Sequence, residues 1–283
     1  MTPGNSTTRN QAQPTERLLA LGRPLVMGIL NVTPDSFSDG GQFFDPASAL
    51  AQARRMIAEG ADILDIGAES TRPYGGRQPV SVEDEHARLA PVLSEVVKLG
   101  LPVSIDTFKA KTAAYALEQG AAILNDVWGL QYDPDIARVA AEHGVPVIVM
   151  HNREKADPTI DIMADVKAFL ARSLDIAGRA GIRRERIVLD PGVGFGKTLD
   201  QSTTVIARLG ELREFGLPIL MGLSRKRFIS SISPSEPHQR IGGSIAGNLL
   251  SVMAGANIVR VHDVAETVQA LQVMAAIQAK RDG

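Results

Sequence analysis

The chain has no cysteine, few aromatic residues and almost no net charge. Without cysteine, disulfides, iron–sulfur clusters and thiolate nucleophiles are excluded, and a reducing compartment such as the cytoplasm is favoured. Aromatic residues make up only 4% of the chain, which argues against a stacking surface for single-stranded nucleic acid. The 30 basic and 32 acidic residues leave a formal charge of -2, so no overall field attracts nucleic acid or an anionic membrane.

Long hydrophobic runs are also absent, and no stretch is apolar enough to span a bilayer. The first residues are rich in Ser, Thr, Asn, Gln and Pro and lack the apolar core of a signal peptide, so we predict a flexible tail over residues 1–23. The remaining mixture of residues is typical of a globular protein. We therefore predict one cytoplasmic domain over residues 24–283, with neither nucleic acid nor a membrane as a partner.

Short apolar runs alternate with longer amphipathic segments from residue 24 onwards. Asp45-Pro46 is typical of a helix start, and Pro91 is expected to interrupt a helix. Apolar strands alternating with helices indicate parallel pairing. Eight such units favour an α/β fold with a single (β/α)8 TIM barrel, and an open doubly wound sheet remains the alternative. The predicted strands are Leu25–Leu30, Asp62–Ile66, Pro102–Ile105, Ala122–Leu124, Val145–Met150, Ile187–Leu189, Pro218–Met221 and Asn257–Val261.

Polar residues end or follow most of these predicted strands. The simplest explanation of any one of them is an N-cap for the next helix. Polar residues at the ends of so many apolar strands instead predict a binding site, because the carboxyl ends of barrel strands meet at one mouth. The residues concerned are Asn31, Asp106, Asn125, Asp126, His151, Asp190, Ser224, Lys226, Arg260, His262 and Asp263.

Cationic residues cluster after the last two strands. Arg260 and His262 are two apart on an extended segment, so their side chains point the same way. With Lys226 they would form a cationic wall that suits a phosphate or diphosphate.

Acceptor groups end the third, fourth and sixth strands. Asp106, Asn125 and Asp190 could bind the donor edge of a nitrogenous ring. The mouth as a whole then fits a ligand with an anionic tail and such a ring. Alternatively, Asn31, Asp106 and Asp190 could hold Mg²⁺ as oxygen ligands.

Three polar or glycine-rich loops leave the strands. Asn31–Gly41 and Gly67–Gln78 have glycine near their ends and could close over a ligand. The segment Pro191–Thr198 ends like a phosphate-binding P-loop, but position 191 is proline where that motif requires glycine. We interpret it as a third loop at the site, which offers Phe195 to a ligand.

Several motifs, in order, closely resemble those of dihydropteroate synthases. They are LNVTPDSFSDGG from Leu30, ESTRP from Glu69, SIDT from Ser104, ILND from Ile123, DPGVGFGK from Asp190, GLSRK from Gly222 and RVHD from Arg260. The resemblance covers the chain from about Pro24 to the C-terminus. It implies a pterin-binding barrel that joins 6-hydroxymethyl-7,8-dihydropterin diphosphate to 4-aminobenzoate, with release of diphosphate. It also implies a homodimer.

The resemblance implies a role for each matching residue. The pterin would be held by Asp106, Asn125, Asp190 and Lys226. The diphosphate would be held by Asn31, Arg260 and His262, with Mg²⁺ as cofactor on Asn31. The loop that shapes the aminobenzoate site would contain Thr71, Arg72 and Pro73, with Phe195 and Ser224 nearby. The chemistry would rest on Asp106, Lys226, Arg260 and His262.

Other functions remain open from the residues alone. A methyltransferase acting with a corrinoid protein would share the carboxylate-lined pocket but would not need the cationic wall. A Schiff-base aldolase could use Lys226, and a non-catalytic binding protein would be expected to lack the loop residues. The chain departs from many family members at His151-Asn152-Arg153, so no role is predicted for His151.

Overall fold

The computed structural model describes residues 21–33, 45–69 and 80–281. Within these ranges helices and strands alternate along the chain, joined in places by short 3-10 turns. The strands are β1 Leu25–Asn31, β2 Ile63–Gly67, β3 Val103–Asp106, β4 Ile123–Asp126, β5 Val147–Met150, β6 Ile187–Asp190, β7 Leu220–Met221 and β8 Ile258–Val261. The helices are α1 Pro46–Ala58, α2 Val82–Leu89, α3 Leu93–Val97, α4 Ala110–Glu118, α5 Ile136–His143, α6 Ile162–Ala180, α7 Leu199–Ala207, α8 Arg227–Ile232, α9 Ile241–Met253 and α10 Val264–Gln278.

All described strand pairs are parallel, and the sheet runs β6-β5-β4-β3-β2-β1-β8-β7. A parallel bridge between Leu189 and Ile219 links β6 to β7. The sheet therefore closes on itself, with β1 paired to β8 rather than lying at an edge. This confirms the predicted (β/α)8 TIM barrel and excludes the open doubly wound sheet.

The lower interior of the barrel is filled by one apolar layer. Its members come from seven strands and are Leu25, Met27, Ile63, Ile123, Ile148, Val188, Leu220 and Ile258. Because side chains on a strand alternate between faces, the residue two positions further along each strand also points inward. A second, larger apolar cluster lies between the strands and the helices. The barrel interior is thus closed below and can carry a site only toward its carboxyl end.

Two predicted helix boundaries are confirmed. The Asp45 side chain accepts hydrogen bonds from the backbone N–H groups of Ala47 and Ser48, and Pro46 is the first residue of α1. Pro91 lies between α2 and α3, as expected of a residue that cannot donate the helical hydrogen bond.

Some predictions fall outside the described ranges. These include most of the predicted tail, most of the two long loops, and Thr71, Arg72 and Pro73.

At the start of the first described range, Arg23 forms an ion pair of 2.6 Å with Asp62. None of the helices described here has the length and apolar character required to cross a membrane.

Candidate active site

A polar layer lies directly above the apolar layer of the barrel interior. Asp65, Asn125, Asp190 and Arg260 each follow a member of the apolar layer by two positions, so they face the same interior. Asp106 ends β3, beside Asn125 in the sheet. The three carboxylates and the amide are at least 94% buried. The strand alternation thus places acceptors and a guanidinium together at the carboxyl-end mouth.

Arg260 lies between two carboxylates. Its Nε donates to Oδ2 of Asp65 over 2.5 Å, and its Nη2 donates to Oδ2 of Asp106 over 2.7 Å. Asn125 donates from Nδ2 to the same oxygen of Asp65, over 3.1 Å. The guanidinium is therefore bound to acidic groups in this structure, in addition to lying at the mouth where the sequence predicted a cationic wall.

Two oxygens of this cluster keep unused hydrogen-bonding capacity. Oδ1 of Asp65 and Oδ1 of Asp106 are buried and have no hydrogen-bond partner among the described residues. Burial raises the pKa of Asp106, and the guanidinium of Arg260 opposes that rise. A buried acceptor without a donor is costly, so this mouth suits a ligand that presents N–H groups.

Asp65 was not predicted as a site residue. It lies inside an apolar strand rather than at its end, and it is completely buried. The available signal was a carboxylate two positions after the inward-facing Ile63, in a run that is otherwise apolar. A buried acid of this kind requires a partner, and Arg260 supplies it.

Asp190 and Lys226 lie on the other side of the mouth. Oδ1 of Asp190 accepts from the backbone N–H of Gly192 over 2.7 Å. Nζ of Lys226 donates to the carbonyl of Val193 over 2.5 Å and lies 4.7 Å from the centre of the Phe195 ring. Burial lowers the pKa of Lys226 to about 8, although the Asp190 carboxylate opposes that change. The structure brings Phe195 and Lys226 together, as the predicted site requires.

Ser224 and His262 form a second contact at the mouth. The Ser224 Oγ accepts from the backbone N–H of His262 over 3.1 Å and lies 3.0 Å from its Nδ1. Arg225, in the left-handed region with a φ of 57°, forms an ion pair with Asp263. That ion pair links the ends of β7 and β8, and so holds Ser224 against His262.

Asn31 ends β1 with a partly exposed side chain. A Cβ atom at Gly67 would lie 3.8 Å from the Asn31 Oδ1 and 3.7 Å from the Asp106 Oδ2. Asn31 and Asp106 therefore both lie close to Gly67, at the ends of β1 and β3. In the parts of the chain that the structure describes, no three His, Asp or Glu side chains group as a metal site.

Two other polar strand ends belong to the scaffold. Both oxygens of Asp126 accept backbone N–H groups, from Trp128 over 2.8 Å and from Leu130 over 2.7 Å, so this carboxylate stabilises the turn after β4. His151 is completely buried, with Nε2 2.9 Å from Asp165 and Nδ1 2.6 Å from Nζ of Lys197. Lys197, like Asp65, was not predicted, because it follows a glycine-rich loop rather than a strand.

Comparison with known proteins identifies the family. Residues 27–262 match the family model described as pterin binding enzyme. The dihydropteroate synthase of Bacillus subtilis is 45% identical over 256 residues, which cover 90% of this chain and 89% of that protein.

Two solved structures have the same barrel. A dihydropteroate synthase from Clostridium difficile, studied in the presence of pteroic acid, has a TM-score of 0.86 and 45% identity, covering 90% of this chain and 97% of that one. The Xanthomonas albilineans dihydropteroate synthase with 4-aminobenzoic acid has a TM-score of 0.87 and 46% identity, covering 92% and 94%. The barrel, its acceptor-lined mouth and these matches along nearly the whole chain together show that this chain belongs to the dihydropteroate synthase family of pterin-binding enzymes.

Proposed function

We propose that this barrel mouth joins 6-hydroxymethyl-7,8-dihydropterin diphosphate to 4-aminobenzoate and yields 7,8-dihydropteroate and diphosphate. The observation that carries the proposal is the buried set of acceptors, Asp106, Asn125 and Asp190, beside the ammonium of Lys226. This set matches a pterin, which presents several N–H donors and one carbonyl oxygen. Similar proteins have been studied with pteroic acid and with 4-aminobenzoic acid, which correspond to the joined product and to the second substrate.

Each side of the mouth has its own task in this reaction. Asp190 and Asn125 accept from the ring N–H groups, and Lys226 donates to the ring carbonyl. The Asp106 carboxylate stabilises positive charge that develops on the ring as the bond to the diphosphate breaks. The amine of 4-aminobenzoate then attacks the methylene carbon, so no covalent intermediate with the protein is needed.

Arg260 changes partners in this scheme. In the structure its Nη2 occupies one oxygen of Asp106, over 2.7 Å. A ring N–H that binds the unpartnered Oδ1 of Asp106 draws negative charge from that carboxylate and so weakens its hold on the guanidinium. The Nη2 group can then bind the leaving diphosphate, together with His262. Arg is suited to this because it forms two parallel hydrogen bonds to phosphate oxygens.

Asn31 is the residue that would hold Mg²⁺. Its amide oxygen is a hard donor, as Mg²⁺ prefers, and its side chain is accessible at the end of β1. When bound, the ion would stabilise charge on the leaving diphosphate. Calorimetric titration of diphosphate with and without Mg²⁺ tests this, because Asn31→Ala should remove most of the gain that Mg²⁺ gives; an equal gain in both proteins would contradict the role of Asn31.

The aminobenzoate is proposed to bind outside the pterin, near Phe195 and Ser224. Thr71, Arg72 and Pro73 would complete that part of the site from the second long loop. Phe195 already lies against Lys226, so the two binding regions are adjacent.

The decisive experiment is incubation of the chain with the pterin diphosphate, 4-aminobenzoate and Mg²⁺, followed by detection of dihydropteroate. The matched control is Lys226→Met, which keeps the length of the side chain and removes its charge. Dihydropteroate formed by the unsubstituted chain and strongly reduced in the variant supports the proposal. A folded, pterin-binding chain that forms no dihydropteroate would contradict it.

The chain is also proposed to act as a homodimer in the cytoplasm, through one apolar face. Four large apolar side chains that are 54–61% exposed lie on adjacent helices α9 and α10: Leu250, Met253, Val273 and Ile277. A contiguous exposed apolar patch of this kind usually marks an interface. A second copy of the same chain would cover it in a symmetric contact.

A further inference from the structure

The glycine-rich loop after β6, Pro191–Lys197, is fastened by the buried lysine at its end. Lys197 is only 4% exposed. Its Nζ lies 2.8 Å from the carbonyl oxygen of Gly192, 3.2 Å from that of Phe195 and 2.6 Å from Nδ1 of His151. A lysine ammonium has three N–H donors and no acceptor, so these three acceptors use all of its protons. Lys197 thereby ties both ends of the loop to the end of β5.

The protonation of these groups follows from their partners. Burial, reinforced by the Lys197 charge, lowers the pKa of His151 to about 3, so the ring is neutral. Since Nδ1 accepts from Lys197, the ring proton is on Nε2 and is donated to Asp165 over 2.9 Å. Asp165, on α6, also accepts from Arg153 over 2.9 Å. Burial lowers the pKa of Lys197 as well, but a neutral amine would have one N–H fewer than the acceptors around it.

The loop backbone lies directly against the residues that follow β5. A Cβ atom at Gly192 would lie 1.9 Å from the carbonyl oxygen of His151, and one at Gly196 would lie 2.4 Å from that of Arg153. Only glycine fits at either position, and both have positive φ angles. The segment His151-Asn152-Arg153, to which no role was assigned from the sequence, is therefore the support of the loop.

The loop held in this way presents two groups to Lys226. The carbonyl of Val193 accepts from Nζ of Lys226 over 2.5 Å, and the ring of Phe195 lies 4.7 Å from the same atom. Both groups belong to the segment between the two carbonyls that Lys197 holds. The position of the Lys226 ammonium thus depends on a second lysine that lies behind the loop.

We propose that Lys197 is a positioning residue for the reaction: held by His151, it fixes the glycine-rich loop so that Val193 and Phe195 orient Lys226 toward the pterin. Lys197 acts through the loop and does not contact the substrate. The identity of the substrate rests on the proposed function, whereas the fastening of the loop does not.

The test is Lys197→Met, which keeps the apolar stem and removes all three donors. We expect the KM for the pterin diphosphate to rise about tenfold while kcat changes less than about threefold, because a contact equal in ground and transition states is weakened. We also expect faster hydrogen exchange in the peptide that contains residues 190–198. Lys167→Met, which removes a surface lysine paired with Glu211 and Glu214, is the matched control and should change neither quantity.

Two substitutions of His151 give the same test without altering Lys197. Glutamine places its amide nitrogen near the position of Nε2, so it keeps the donor to Asp165 and offers Lys197 no acceptor. Asparagine places its oxygen near the position of Nδ1, so it keeps the acceptor for Lys197 and loses Asp165. We expect His151→Gln to reproduce the higher KM and the faster exchange. We expect His151→Asn to keep the KM within about twofold of that of the unsubstituted chain, since only the hydrogen bond to the partly exposed Asp165 is lost.

The outcomes separate the proposals. A purely structural role for Lys197 would lower the melting temperature and the active fraction but leave the KM unchanged. Unchanged KM and exchange in Lys197→Met and His151→Gln would overturn the positioning role, as would a larger effect in His151→Asn. If the unsubstituted chain forms no dihydropteroate, the proposed function fails and the exchange measurement alone decides whether Lys197 holds the loop.

Discussion

At the scale of single residues, the site depends on buried charges whose partners decide their state. Asp65, Asp106 and Asp190 are nearly or fully buried, and each has a cation close by. Burying a carboxylate is costly unless it is paired, so the charge of each of these groups depends on the cation beside it. A ligand that binds the carboxylate or the cation therefore changes the protonation and the pairing of both.

Asp190→Asn should weaken binding of the pterin. The substitution keeps the shape and one acceptor oxygen but removes the charge that strengthens the hydrogen bond, so the loss is expected to be about 1.5–3 kcal/mol. Calorimetric titration with a diphosphate-free pterin measures it. Because the change is nearly isosteric, the melting temperature serves as the control for folding. An unchanged affinity in a folded variant would remove Asp190 from the pterin site.

Activity should fall as the pH rises through the pKa of Lys226. That pKa is lowered to about 8, and the charged form is the one that donates to the ring carbonyl, so the required form is lost above that pH. The value of kcat/KM for the pterin diphosphate, which reports on the free enzyme, should therefore decrease above about pH 8. In Lys226→Arg this decrease should be absent over the pH range in which the enzyme can be assayed, since the guanidinium stays protonated. The same alkaline decrease in both proteins would assign it to another group.

At the scale of elements, loop backbones rather than helices determine the shape of the mouth. Helix boundaries such as Asp45-Pro46 and Pro91 follow local rules, and they were predicted from the sequence for that reason. The loop after β6 obeys a different constraint, because its glycines lie against the backbone of another segment. Its conformation is therefore set by contacts with the segment that follows the neighbouring strand β5.

Gly192→Ala should damage both stability and pterin binding. The φ angle of Gly192 is 64°, and the new Cβ would overlap the carbonyl of His151, so a loss of about 2 kcal/mol or more in the free energy of unfolding is expected. Gly178→Ala is the matched control, because no atom outside the adjoining backbone of α6 lies within 4 Å of its Cβ position. It should stabilise the protein by about 0.5–1 kcal/mol. Chemical denaturation measures both, and equal effects would contradict the close contact of the loop with the segment after β5.

At the scale of the whole molecule, the barrel presents its polar site at one end and an apolar face on one side. The face formed by α9 and α10 lies next to β8 and β1, whereas α4 connects β3 to β4, and β4 lies across the barrel from β8. The site residues face the interior of the barrel mouth, so the two features are separate. The proposed dimerisation and the proposed reaction should therefore respond to different substitutions.

Val273→Lys should convert a dimer into a monomer. The side chain is 55% exposed in the single chain, and a buried lysine at the centre of an interface would lose its hydration. Sedimentation at several protein concentrations measures the change. Gln119→Lys adds the same charge at the exposed end of α4 and should leave the mass unchanged. A monomer in the unsubstituted chain, or a dimer in Val273→Lys, would contradict the proposed interface.

The sequence alone determined the architecture and most of the mouth. Apolar runs that alternate with helices specify parallel strands. Because side chains alternate between the two faces of a strand, Asn125, Asp190 and Arg260 face inward together with the apolar residues two positions before them. Each predicted strand lies within about two residues of its observed position, with β7 the shortest. These features could be predicted because their causes are local.

Only the tertiary structure decided which groups meet. Arg260 and Asp65 are 195 residues apart in the chain, and Lys197 and His151 are 46 apart, so no local pattern connects either pair. Asn125 and Asp126 are neighbours in sequence, yet only Asn125 faces the mouth, whereas Asp126 binds two backbone N–H groups of its own turn. The physical reason is that a buried polar group is positioned by the partner that satisfies it. For Asp126 that partner is local, whereas for Asp65 and Asn125 it is brought near by the closure of the barrel.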